Sequence, residues 1–283
     1  MPPKPPLDIA LRRCALAVSV LHDVDLRPSL TGIVLTQVPR IKVTWAEIRR
    51  AVAGADPESD LARTRLARWL AVRRWLASRT ARELAEMARP YGVPVESELH
   101  PGLDWVRLRV LGDALDIGLG FVGLDPTHPD DIVVPPQRLL EAAGFDADPW
   151  WPAQLVYLEQ MGRMAAERYL RQPAAPLRPM GDCDVVTLLG SRSLRVVLVA
   201  ASEGMRSAAV PMRVRGWLDL TRIDPAYVLA AAALTEAPHR GFPRPLLVTA
   251  DELALARPGG QPEQLVLRDP AVHEPWLRDV LYR

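Results

Sequence analysis

The spacing of apolar residues changes between Gly92 and Asp104, and this switch limits the fold more than any other feature. Before it, apolar side chains recur every three to four residues, the period that lines one face of a helix. After it, DWVRLRVLG and ALDIGLGFVGL alternate apolar with polar or small residues, the period of a strand. Helices first and strands later argue against an alternating βαβ sheet. They predict an α+β fold, with a helical N-terminal part followed by a mixed or antiparallel sheet and flanking helices.

Within the helical part, Leu7 to Leu21 is amphipathic, and SLTGIVLTQVPRIKV reads as two short strands around Pro39. TWAEIRRAVAG opens on a capping box, Thr44 with Glu47, and stops at Gly54. A longer helix is expected from Asp56-Pro57 to Arg79. A second Thr-x-x-Glu box, Thr80 with Glu83, starts a short helix that Pro90 and Gly92 are expected to end.

Beyond the switch, the two alternating stretches predict strands joined near Gly112 and Asp113. PQRLLEAAG predicts a short helix. PWWPAQLVYLEQMGRMAAERYLRQ predicts a long one with Leu155, Leu158, Met161 and Ala165 on one stripe. DVVTLLG and SLRVVLVAA read as a hairpin turning at Gly190-Ser191, and AAVPMRVRGWLDL as a third strand bent at Pro211. DPAYVLAAAALTEA is a helix, PLLVTA and EQLVLRD are short strands, and HEPWLRDVLYR is a closing helix.

The proline-rich segment 173–180 is the best linker in the chain. It would separate an N-terminal helical and small-sheet region, 1–172, from a C-terminal α+β region, 181–283, unless both form one compact unit. The pattern L-D-x-T-x-x-D occurs from Leu124 to Asp130 and from Leu218 to Asp224. Two related halves would explain it, and so would two turns that solve the same local problem.

With 283 residues and a net charge of +1, the chain is long enough for a substantial core, and its charge balance favours no class of partner. Only Lys4 and Lys42 are lysines. The GC-rich codons of arginine and alanine, as in a GC-rich bacterium, account for this before function does. Cys14 and Cys183, far apart in sequence, exclude an all-cysteine zinc site and a C-x-x-C redox motif. Charged residues interrupt the segment from Leu7 to Leu21, and no run reaches the roughly 18 apolar residues of a membrane helix. A soluble, cytoplasmic protein with two free thiols and no membrane partner is therefore expected.

Gly118, Gly120 and Gly123 match the G-x-G-x-x-G of a dinucleotide loop. The prolines at 126 and 129 stand where the phosphate-binding helix would have to begin. The glycines are better explained by a strand with a closely packed neighbour, so no cofactor is expected through them. The acidic stretch that follows offers Asp125, His128 and Asp130 as ligands for a divalent metal, with Asp113, Asp116, His100, Asp219 and Asp224 as further donors. Asp-Pro-Thr-His-Pro-Asp-Asp is equally a way to build and cap a loop, and that reading is preferred.

Arg68, Arg73, Arg74 and Trp75 combine phosphate-neutralising and base-stacking groups on one helix. At about 100° per residue, however, the arginines spread around that helix instead of gathering on one face. Carboxylates on both sides of Cys183 oppose the thiolate a nucleophile needs. No G-x-S-x-G elbow accompanies Ser191 or Ser193. The His239–Arg240 loop reads as proline-stiffened backbone.

With no catalytic constellation in view, the sequence favours a non-enzymatic regulatory or protein-interaction protein with a protein partner. Its contact surfaces would be the Arg/Trp helix, the acidic loop or the loop from Pro238 to Pro245. A metal-dependent hydrolase or phosphotransferase built on Asp125, His128 and Asp130 is the first alternative. Nucleic-acid binding through Arg68, Arg73, Arg74 and Trp75 is the second.

Overall fold

The computed structural model describes residues 7–36, 40–219 and 225–256. They form two compact units, and the chain passes between them more than once. The first unit takes the described residues up to Met87, then Phe121–Val133 and Leu139–Phe145; the second takes Ala88–Gly120, Val134–Arg138 and the described residues from Asp146 onward. The proline-rich segment 173–180 lies inside the second unit, with both of its flanks.

The first unit is a short meander under helices. Helix α1 (Leu7–Leu21) leads to strands β1 (Leu26–Pro28), β2 (Gly32–Leu35) and β3 (Ile41–Thr44), then to α2 (Trp45–Ala51), α3 (Asp60–Ala77) and α4 (Ala81–Met87). The strands pair antiparallel in the order β1-β2-β3. One more strand forms than the sequence suggested, and Pro39 lies outside the described residues. Leu11, Cys14 and Val18 of α1 pack with Ile33, Val43, Ile48, Leu66 and Leu70.

Both capping boxes form. The Glu47 carboxylate accepts from Thr44 N and Oγ1 at 2.9 and 2.8 Å while Thr44 Oγ1 accepts from Glu47 N. Glu83 does the same with Thr80. The cap of α3 falls later than Asp56-Pro57. Those two residues make a turn in which Asp56 accepts from Glu58 N and Ser59 Oγ, and Ser59 Oγ then caps the helix at Ala62 N. Ser59 prevails because a turn residue whose carbonyl and carboxylate are both engaged cannot also serve the first helical N–H groups.

The second unit holds two sheets around a helical layer. Strands β4 (Ala88–Pro94), β5 (Arg107–Leu111) and β6 (Leu115–Phe121) lie in the order β4-β6-β5, the β5–β6 hairpin turning at Gly112 as expected. Strand β4 corrects the sequence reading, in which Pro90 and Gly92 merely ended a helix. Helix α4 stops at Met87, and both residues lie within the strand. Proline lacks the N–H a central strand needs, but β4 is an edge strand, where that loss is tolerated. Gly118 in β6 leaves room for the Trp105 indole, which a Cβ would meet at 2.4 Å.

Helix α5 (Gln137–Ala142) falls mostly in the first unit, and the second unit resumes with the long α6 (Trp151–Arg171), in which Leu158, Met161 and Ala165 are buried. The expected hairpin at Gly190-Ser191 is instead a pair of short helices, α7 (Val185–Leu188) and α8 (Arg192–Val199). Asp184 caps the first at Thr187 N and Ser191 caps the second at Leu194 N. These caps, with Leu194, Leu198 and Val199 all buried, override the strand preference of the valines. Strands β7 (Met205–Met212) and β8 (Arg215–Leu218), helix α9 (Pro225–Leu234), and strands β9 (Leu246–Thr249) and β10 (Leu253–Leu255) complete the unit. Their sheet is antiparallel in the order β10-β9-β7-β8. EQLVLRD and HEPWLRDVLYR lie outside the described residues.

Gly162 sets how closely α6 approaches α8. A Cβ there would stand 1.9 Å from Ser191 Oγ and 2.4 Å from Ser191 Cβ. Gly162→Ala is expected to destabilise the second unit by about 1–3 kcal/mol, the usual cost of overpacking. A denaturant melt that matches wild type would contradict this.

Candidate functional site

One member of each residue set singled out in the sequence, Asp125 and Arg68, meets the other in the first unit. Asp125 is fully buried. Its Oδ1 accepts from Thr127 N at 2.8 Å, Thr127 Oγ1 at 2.7 Å and His128 N at 3.3 Å, the bonds of a capped Asp-x-Thr turn. Its Oδ2 pairs with Arg68 Nε, and Arg68 Nη2 reaches Asp131 Oδ2 at 2.5 Å. Burial pushes the Asp125 carboxyl upward, but the bonds from Thr127 and Arg68 outweigh it and hold it below the usual range. The cation at this carboxylate is therefore an arginine. His128 and Asp130 are exposed on the same loop, with His128 Nδ1 2.8 Å from Thr127 Oγ1. Among the described residues no three His, Cys, Asp or Glu side chains are grouped to hold a metal ion.

The further donors considered with this loop are placed elsewhere. Asp113, Asp116, His100 and Asp219 belong to the second unit, and Asp224 lies outside the described residues. His100 has both ring nitrogens engaged: Nδ1 accepts from Gly102 N at 3.0 Å and Nε2 is 3.1 Å from Asp116 Oδ2. Asp219, with a left-handed φ of 64°, takes two bonds from Arg206 at 2.8 and 2.7 Å.

The other members of the Arg/Trp set are distributed around α3. Arg73 is buried, with Nε 3.6 Å from Glu47 Oε1 and Nη2 donating to the Lys42 carbonyl. Trp75 donates Nε1–H to the Gly123 carbonyl at 3.1 Å and carries the Arg79 guanidinium 3.8 Å above its ring. Arg74 faces solvent.

In the second unit the densest polar cluster surrounds Glu159 at the start of α8. Its carboxylate accepts from Ser191 Oγ at 2.7 Å, Ser193 N at 2.9 Å, Arg192 N at 3.1 Å and Arg109 Nη1 at 2.9 Å. Burial pushes Glu159 up, yet these bonds together bring it down to about 2. The fully buried Arg195 donates to the carbonyls of Leu189 and Ala250, and burial with Arg109 nearby lowers it to about 10. The Glu159 carboxylate is thus engaged in holding the start of α8. Ser191 donates its hydroxyl hydrogen to an ionised carboxylate that no histidine accompanies, which is not the arrangement of an activated nucleophile.

Cys183 is buried and pushed up to about 12, first by burial and then by Asp184 and Asp182. It is therefore a core thiol. Beside it, Arg213 bonds Asp184 at 2.6 Å and the Gly92 carbonyl at 2.5 Å, and stacks 4.1 Å over Tyr91. In the Pro238–Pro245 loop, Arg240 pairs with Glu98 and Arg244 with Glu96, so its cations are occupied.

What the sequence pattern missed is the outer face of α1. Leu11, Cys14, Ala15 and Val18 point into the core. On the opposite side Ile9, Leu16 and Val20 lie along one stripe and are 44%, 48% and 84% exposed. Arg12 and Arg13 flank them, Arg13 bonded to Glu58 and Arg12 lying 5.7 Å over Trp45. The signal was present as an alanine- and leucine-rich helix apolar on two sides. No helix among the described residues is long and apolar enough to cross a membrane. Comparison with models of known protein families, with curated proteins and with solved structures finds no match to this chain.

Proposed function

We propose that this protein is a non-enzymatic interaction protein that captures a partner's amphipathic helix on the outer face of α1. The observation behind this reading is the second apolar stripe, Ile9, Leu16 and Val20, opposite the stripe α1 uses for its own core. A helix that only covers a core keeps its far side polar, and exposed apolar residues aligned along one helix face and bordered by charge suit a docking surface. Arg12 and Arg13 set the chemistry of the partner: an apolar seam at helical spacing, bordered by carboxylates.

The alternative readings compete for one guanidinium. The pairing of Arg68 with Asp125 and Asp131 favours the interaction reading over phosphate neutralisation by that side chain.

Leu16→Asp combined with Val20→Asp is expected to change folding stability by only about 0.5 kcal/mol, because both side chains are exposed. The pair should abolish co-purification of the protein partner from the native host. Leu103→Asp, at an exposed site in the second unit, serves as the control that retains it. Recovery of the same partners by the doubly substituted protein would end the proposal.

A further inference from the structure

The geometry points to a binding site for a small aryl or branched-chain carboxylate in the second unit, between the last turns of α6 and the loop 172–178. A cavity of about 120 Å³ opens there. Ala165, Leu177, Val185, Leu188 and Leu194 form its apolar walls. The recess is open to solvent on one side, and its volume suits a guest of about one small ring or branched chain.

The polar groups of the cavity are cationic or neutral: Arg168, Arg178, Tyr169 and Gln172. No acidic residue lines it. Arg168 spends only Nη2 on protein, donating to the carbonyls of Arg178 and Pro179 at 2.6 and 2.9 Å. Among the described residues neither Arg168 nor Arg178 has a carboxylate partner. Nearby, Arg206 differs: it contacts the Tyr169 hydroxyl but is neutralised by Asp219. A recess with apolar walls and two guanidinium groups that meet no carboxylate among the described residues matches a ligand that buries a ring or branched chain and leaves a carboxylate for the arginines. Inorganic phosphate lacks the apolar body that would fill the walls.

The site lies wholly in the second unit and does not depend on the α1 reading. It is tested by fluorine NMR titration with 4-fluorobenzoate and its neutral analogue 4-fluorobenzyl alcohol. Wild type is expected to saturate with the benzoate. Arg178→Gln, at an exposed position, should weaken the benzoate by roughly tenfold or more while leaving the alcohol unchanged. Ala175→Trp, also on the exposed loop, should fill the cavity and remove both, with an unchanged circular dichroism spectrum as the check on folding. Absence of saturation in wild type overturns the assignment. So does an Arg178→Gln protein that binds benzoate as wild type does, or a folded Ala175→Trp protein that still binds either probe.

Discussion

Glu159→Ala is expected to cost the second unit about 3 kcal/mol, the order of magnitude that corresponds to a carboxyl brought from 4.5 to about 2. Three donors lose their acceptor at once, the Ser191 hydroxyl and the N–H groups of Arg192 and Ser193, and the Arg109 guanidinium keeps only the Gly190 carbonyl. The first N–H groups of α8 are then left uncapped, and Arg109 loses its counter-ion near the buried Arg195.

The loss also carries a pH signature. Glu159 is depressed in the folded state, so its stabilisation is fully present above its ordinary value of 4.5. It fades as pH falls toward about 2. The gap between wild type and Glu159→Ala in urea melts should therefore narrow on the acid side of 4.5. A gap that stays constant with pH would show that the lost stability is not that of the ionised carboxylate.

The second large effect is expected at Arg73 and Glu47 in the first unit. Their charges face each other at 3.6 Å with almost no exposure, too far apart for a hydrogen bond but well within Coulomb range. Removing one partner takes away the opposite charge that the other faces in the core. Arg73→Ala is expected to lower stability by about 3–5 kcal/mol. Arg73→Met together with Glu47→Gln should recover most of it, because glutamine still serves the Thr44 capping box and no charge remains unpaired. If the two substitutions add in a double-mutant cycle, the pair is not coupled as its geometry implies.

Legibility from sequence followed how local the deciding contact was. Thr44 with Glu47 and Thr80 with Glu83 were readable because a capping box closes within four residues. The α6 stripe was readable because helical period alone fixes it. The α7–α8 pair was not, since the valine-rich run reads as strand by composition, and the burial that favours a helix there, like the Glu159 carboxylate at its start, depends on residues far away in sequence. Strand β4 was hidden because Pro90 and Gly92 look like stop signals unless the strand is known to be an edge. For the site, residue types were legible and pairings were not. Asp125 and Arg68 came from two separate hypotheses, and the fold joins them across 57 positions. Arg168 and Arg178 drew no notice, because a cavity wall is a property of several segments together.

The return of the chain to its first unit has a consequence for synthesis. A ribosome releases the segment up to Met87 well before Phe121 and Phe145, whose rings meet edge-to-face at 5.5 Å in that same unit. Until then Arg68 lacks both of its carboxylates and the Trp75 indole lacks the Gly123 carbonyl. The N-terminal unit is thus the first to emerge but cannot be finished first, and the ordinary sequence in which domains mature one after another as they leave the tunnel does not apply to it. Nascent chains stalled short of Gly123 should remain more protease-sensitive around Arg68 and Trp75 than chains in which Asp131 is free.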